Sequence, residues 1–230
     1  CFYINGMSFL AVIFALYSIK LAHNHKPSFG SAINDLKEGI FFVKNNHLVL
    51  ALVFIVAVVS LFGVAHIILM PIFANDVLGV GMRGLGILMS SAGVGALLGA
   101  LILARLGDFR HKGKLLLLAA MVFSVALIVF ALSQSYPLSI LSLIFVGLTS
   151  VIAVSLVNTL LQLNVEDRFR GRVMSIFMLT FAGMMPFGNL IAGSLAHTAG
   201  VSSAVLIGGI LCLVFFVLIS ILYPPLRELN

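Results

Sequence analysis

Positive charge alternates along this chain. Twelve of its 13 Lys and Arg residues fall in every second gap between long apolar runs. They are Lys20, Lys26, Lys37 and Lys44 in the first such gap, Arg105, Arg110, Lys112 and Lys114 in the next, Arg168, Arg170 and Arg172 in the third, and Arg227 near the C-terminus. The gaps between them, Asn75 to Arg83, Gln134 to Pro137 and His197 to Ser203, are short and hold Arg83 as their single cation. Cytoplasmic loops of membrane proteins retain Lys and Arg, whereas translocated loops are depleted of them. The pattern therefore describes a polytopic membrane protein whose four cationic segments face the cytoplasm.

Composition points the same way: 62% of the residues are hydrophobic and 9% charged, against about a quarter charged in soluble domains. A hydrocarbon layer about 30 Å thick takes roughly 20 apolar residues per helix. Seven runs qualify, at about 2–19, 48–74, 84–105, 115–133, 137–162, 173–196 and 203–223. The expected fold class is all-α: a transmembrane helix over 1–19, a cytoplasmic linker over 20–47, a six-helix transmembrane bundle over 48–224 and a cytoplasmic tail over 225–230. The chain opens with Cys1 directly in an apolar run, with no basic residues ahead of it as a signal peptide has. It reads as the C-terminal part of a longer polypeptide, whose N-terminal half is then an expected partner beside the lipid bilayer.

Several function classes are excluded. The net charge of +6 resides on the expected inner face, where anionic head groups favour it, and no basic stripe with interleaved aromatics points to nucleic acid. Cys1 and Cys212 lie within apolar runs at no metal or disulfide spacing, so they read as packing residues and no metal or cofactor is expected. Neither a nucleophile with a nearby base nor a phosphate-cradling Gly-Lys-Ser/Thr loop is present, so the chain does not read as an enzyme.

In the linker, Phe29, Ile33, Leu36, Ile40 and Val43 recur at helical spacing. Asp35, Lys37, Glu38 and Lys44 are expected on the opposite face. The expected element is an amphipathic helix along the cytoplasmic surface, its stripe buried against the protein or membrane or used to dock a partner. The six following spans read as two sets of three. Ala92-Gly93 with Gly99 is echoed by Ala182-Gly183 with Gly188, and the charge rule makes the two sets run in opposite directions. Such inverted repeats place a site at mid-membrane in many transporters.

Gly84-Leu-Gly86, Gly93-x-Gly95-x-x-x-Gly99, Arg105-Leu-Gly107-Asp108, Asn158-Thr159-Leu-Leu-Gln162, Arg170-Gly171-Arg172-Val-Met-Ser175 and Pro186-x-Gly188 stand along the chain. Together they resemble the C-terminal half of the major facilitator superfamily, in the branch of bacterial exporters similar to those of enterobactin and macrolides. The resemblance covers essentially the whole chain. It implies a 3+3 inverted-repeat bundle preceded by the sixth helix of a twelve-helix transporter, in a bacterial plasma membrane with the C-terminus cytoplasmic. Proton-coupled efflux of an amphipathic small molecule by alternating access is the implied activity; the alternative is a non-transporting membrane scaffold of the same fold. The sequence departs from the family pattern at Ala104, where an acid is expected, and at Glu166-Asp167, where Pro is common. Asp108 is expected to pair with Arg105 or Arg110, and Glu166 or Asp167 with Arg168 or Arg172, in a cytoplasmic gate that includes Arg170. The alternative reading is that these charges only anchor orientation.

Within the spans, Gly95 and Gly99 expose two bare backbones on one helix face, as close helix contact requires. Gly183, Pro186 and Gly188 are expected to pack and kink the sixth span of the seven. No Asp or Glu falls inside an expected span, so a proton-coupling carboxylate is expected in the N-terminal half. His66 is the ionisable side chain deep within a span; it either binds substrate and protons or simply bonds a neighbouring helix. Asn158 and Asn189 are the other substrate-binding candidates, while Gln162, one turn from Asn158, lies nearer the inner end.

Overall fold

The structure, a computed structural model, describes residues 9, 10, 12–14, 17, 32–107 and 109–229. The chain divides into two compact units, Cys1–Ala32 and Ile33–Asn230. The described residues of the first are helical. Most of the expected first span, the first part of the linker with Phe29, and Asp108 lie outside the described residues.

Helix α1 spans Ala32–Asn45. Asn46 ends it in extended backbone, and its Oδ1 accepts the N–H groups of Leu48 and Val49 at 3.1 and 3.2 Å, capping the next helix. Six helices long and apolar enough to cross a membrane follow: α2 (His47–Val77), α3 (Gly81–Leu106), α4 (Lys112–Leu132), α5 (Tyr136–Asn164), α6 (Asp167–Ala199) and α7 (Val201–Leu222). There is no strand among the described residues. The protein is an all-α, multi-pass membrane bundle.

The apolar runs place these helices where the sequence does, but the ends move outward. Helix α6 begins at Asp167, so Arg170-Gly171-Arg172 lies in its first turns and not in a loop. Gly200 alone joins α6 to α7; its φ of 88° lies in the left-handed region that a side chain disfavours. Within α2 the helix widens to π geometry over Val59–Gly63 and again over Phe73–Val77, either side of a short α-turn containing Pro71. These windings re-aim the side chains between them.

Two buried clusters stack within the bundle. One gathers Val43, Val49, Leu116, Leu161, Val173, Phe216 and Leu226; the other gathers Phe73, Leu85, Phe130, Leu143 and Val205. The first adjoins the cationic gaps and the second the uncharged ones, so the two kinds of connection lie at opposite ends. At the cationic end the short 3-10 helix Pro224–Glu228 folds under α4, with Gly113 N–H bonding to Leu229 O at 3.1 Å. Arg227 ties the tail back to α7 through Ser220 Oγ at 2.8 and 3.2 Å.

Helix pairing repeats within the bundle. Helix α3 packs on α5 as α6 packs on α2, α4 packs on α5 as α7 packs on α2, and α4 and α7 meet each other. Exchanging the first three helices for the last three leaves these pairings unchanged, whereas the contact of α6 with α7 has no counterpart of similar extent between α3 and α4. Only 22% of the most apolar window is buried within the chain in α3 and again in α6, the lowest share among the six. These matched helices present the widest uncovered faces.

Candidate functional site

A cavity of about 520 Å³ opens between α2, α3, α5 and α6, with Phe123 of α4 reaching its wall. Its wall is apolar, with Met70, Met89, Phe123, Phe181 and Met185 around the polar side chains of His66, Ser150 and Ser155. At Gly93 the cavity reaches the α3 backbone, for a Cβ there would meet nothing within 4 Å. Met is unbranched and adaptable, so such a wall re-packs around differently shaped apolar ligands.

His66 owes its position to the widened turn of α2. Val64 N–H reaches back to Val59 O and Ile67 N–H bonds to Val64 O, both at 3.0 Å. Beside this turn His66 Nδ1 lies 2.6 Å from the Gly63 carbonyl oxygen. A carbonyl oxygen only accepts, so Nδ1 carries the proton. The ring is 6% exposed and lines the cavity. In the same turn the Ser60 hydroxyl is buried with no hydrogen-bond partner among the described residues.

Glycines bring the flanking helices into backbone contact. A Cβ on Gly95 would lie 2.0 Å from Ile144 O, and one on Gly99 2.4 Å from Leu148 O, so α3 lies directly against α5. The matching pair does the same: a Cβ on Gly188 of α6 would lie 2.3 Å from Leu61 O, on the widened turn of α2. Gly183 differs, for a Cβ there would meet only Leu179 Cδ1 at 3.9 Å. Pro186 sits within α6, which runs helical through it.

Toward the cationic end a second hollow of about 360 Å³ is lined by Asn158, Thr159, Phe177 and Phe181. A third of the same size reaches Gly107, Phe109 and Lys112. Ser155 lines all three, so the hollows form a row along α5 from His66 to the loop after α3. Neither Ser155 nor Thr159 was legible as a site residue, because small hydroxyls in membrane helices ordinarily bond their own carbonyls. Asn158 Oδ1 accepts a hydrogen bond from Gln162 Nε2. Asn189 is half-buried on α6 and lines none of these three hollows.

The chain matches the transmembrane secretion effector family over residues 1–230. It belongs to that family. Membership places it in the major facilitator superfamily, as the motifs implied. The multidrug efflux pump Tap of Mycolicibacterium fortuitum is 28% identical over 146 residues, covering 64% of this chain and 36% of the pump. The staphyloferrin A transporter of Staphylococcus aureus is 27% identical over 174 residues, covering 73% of this chain and 43% of the transporter. The chain thus spans less than half the length of these curated relatives.

In this family member Asp167 and Arg172 make ion pairs other than those expected. Asp167 pairs with Arg170 at 2.7 Å, not with Arg168 or Arg172. Arg172 instead reaches Glu38 of α1 at 2.6 Å. Their spacing explains the change: on a helix, residues three apart share a face, whereas the neighbour Arg168 points elsewhere. Arg105 and Arg110 are exposed, and the expected partner Asp108 lies outside the described residues.

The face of α1 that packs on the bundle centres on Gly39 and takes in Val43 of the expected stripe. Gly39 and Val43 are buried, with a Cβ on Gly39 placed 3.0 Å from Ile176 Cδ1, and Phe42 stacks on Phe169 at 4.6 Å between centroids. Leu36 and Ile40 of the expected buried stripe are 39% and 45% exposed. Gly39 decides this, because its missing side chain lets α1 approach α6 where Leu36 and Ile40 are too bulky.

Proposed function

We propose that this bundle is the C-terminal half of a proton-coupled secondary exporter that moves an amphipathic small molecule, such as a drug or a siderophore, by alternating access. The cavity beside His66 carries the reading: apolar walls with a few polar groups suit such cargo, and the row of hollows through Ser155 supplies a path toward the cationic end. The activities of the two relatives, multidrug efflux and staphyloferrin A transport, support the same class. The uncovered faces of α3 and α6 are then the surfaces that meet the N-terminal half of the same polypeptide, and lipid takes the remainder.

Under this reading His66, Asn158 and Asn189 bind substrate. Arg105, Asp108, Arg110, Asp167, Arg170 and Arg172 close the cytoplasmic side. Gly95, Gly99, Gly183, Pro186 and Gly188 set the helix packing on which rocking depends. The described acids lie in α1, in the tail or at helix ends, so the proton-coupling carboxylate belongs to the other half. The charge alternation supports a bacterial plasma membrane location with the C-terminus in the cytoplasm.

The test is accumulation of dyes, antibiotics and siderophores in cells stripped of other exporters and expressing the complete transporter, with and without a proton-gradient uncoupler. Lower accumulation that the uncoupler reverses is the expected result. Accumulation unchanged across the panel contradicts it and favours the scaffold alternative.

A further inference from the structure

The orientation of His66 narrows what the cavity accepts. Its Nδ1–H is committed to the carbonyl of Gly63, the last residue of the widened turn of α2, at 2.6 Å. That bond fixes both tautomer and ring plane, and in the neutral ring the remaining nitrogen, Nε2, is an acceptor. The ring lines a cavity whose other lining side chains are apolar except for Ser150 and Ser155. Ser150 is already turned to its own helix, donating to Gly147 O at 2.9 Å. Among the described residues no lining side chain is acidic or basic besides His66 itself, so none of them balances a charged ring or a charged ligand.

We infer that His66 is a specificity-determining acceptor: Nε2 selects apolar, largely aromatic cargo that carries a neutral O–H or N–H donor, such as a phenol, an alcohol or an amide. The assignment rests on the transport reading above and adds the chemical class of its substrate. A ligand lacking the donor leaves a desolvated acceptor unsatisfied, which penalises it against an otherwise identical donor-bearing ligand. Volume sets the upper size, because about 520 Å³ holds a drug-sized molecule.

Two substitutions separate recognition from folding. Asn places an amide N–H near the position of Nδ1, so His66→Asn can keep the Gly63 bond while losing the acceptor at Nε2. His66→Ala loses both. The experiment measures export by the complete transporter of matched aromatic probes, each supplied as the free phenol or amide and as its methylated partner. The unaltered protein is expected to prefer the donor-bearing member by about threefold to tenfold, the factor one net hydrogen bond contributes. His66→Asn is expected to lower the donor-bearing member to the level of its methylated partner, abolishing the preference, and to keep the yield of folded protein. His66→Ala is expected to lower that yield as well. Equal loss for both members in His66→Asn overturns the assignment and makes the ring a purely structural group. An unchanged preference in His66→Asn overturns it too. A preference for carboxylate-bearing probes in the unaltered protein overturns it in favour of a charged ring. Export of neither member of any pair by the unaltered protein overturns the transport reading itself and this assignment with it.

Discussion

Arg172 Nη1 lies 2.6 Å from Glu38 Oε2, joining the first turns of α6 to a helix 134 residues earlier in the chain. The two residues do not act alone. Phe42 of α1 stacks on Phe169, and the guanidinium carbons of Arg168 and Arg172 sit 5.3 and 5.8 Å from the Phe169 ring centroid. Arg172 is 23% exposed and Glu38 53% exposed, so water competes for the pair. The ring contacts and the close approach at Gly39 hold α1 on the bundle, and the charges set its register.

A double-mutant cycle on Glu38→Gln and Arg172→Gln is expected to give a coupling of about 0.5 kcal/mol, the range of partly exposed pairs. Phe42→Ala is expected to cost more, about 1 kcal/mol beyond lost area, through the stack. Thermal unfolding of the detergent-solubilised protein measures both. A larger effect from the charges than from Phe42 contradicts this ordering.

Gly95→Ala and Gly99→Ala each drive a methyl into a carbonyl of α5, and Gly188→Ala drives one into α2. Separating packed helices to admit it is expected to cost about 1–3 kcal/mol for each substitution. Gly93→Ala, which meets open space, is expected to leave stability unchanged. Melting temperatures of the four variants check the contrast, and equal loss at Gly93 contradicts it.

The Ser60 hydroxyl is 1% exposed and has no partner among the described residues. Ser60→Ala removes an unsatisfied buried group at almost constant volume, so it is expected to stabilise the fold by about 1 kcal/mol. A lower melting temperature for Ser60→Ala contradicts the assignment of that hydroxyl as unpaired.

Ser155 lines all three hollows. Ser155→Leu is expected to narrow the row and slow export by about tenfold, equivalent to ~1.4 kcal/mol, without loss of folded yield, while Ser155→Ala retains activity. Unimpaired export by Ser155→Leu places the path elsewhere.

Charge alternation and apolar length were sufficient to locate six helices and to assign their ends to two sides, because both signals are local in sequence. The winding of α2 was not legible: Val59 to Gly63 is as apolar as the helix around it, and nothing in its composition distinguishes a π-turn from an α-turn. The start of α6 was read too late because Asp167 to Arg172 is polar, and a charged first turn of a helix looks like a loop to a hydropathy argument. The partner of Arg172 was missed for another reason. Glu38 is distant in sequence, and only the close approach at Gly39 brings its helix within reach. Among the site residues, His66 stood out as an ionisable group in an apolar run, whereas Ser155 is one of many small hydroxyls and gains meaning only from the hollows around it.

The most direct test of the central claim, that the cavity beside His66 carries the cargo, is substrate protection of Gly93→Cys in the complete transporter, in a background with Cys1→Ser and Cys212→Ala. Gly93 lines the cavity and has room for the side chain; Leu118→Cys, on the exposed face of α4, is the control. An exported substrate is expected to slow maleimide labelling of Gly93→Cys, and the completed label to block export, with neither effect at Leu118→Cys. Labelling of Gly93→Cys that is indifferent to substrate and leaves export intact contradicts the claim.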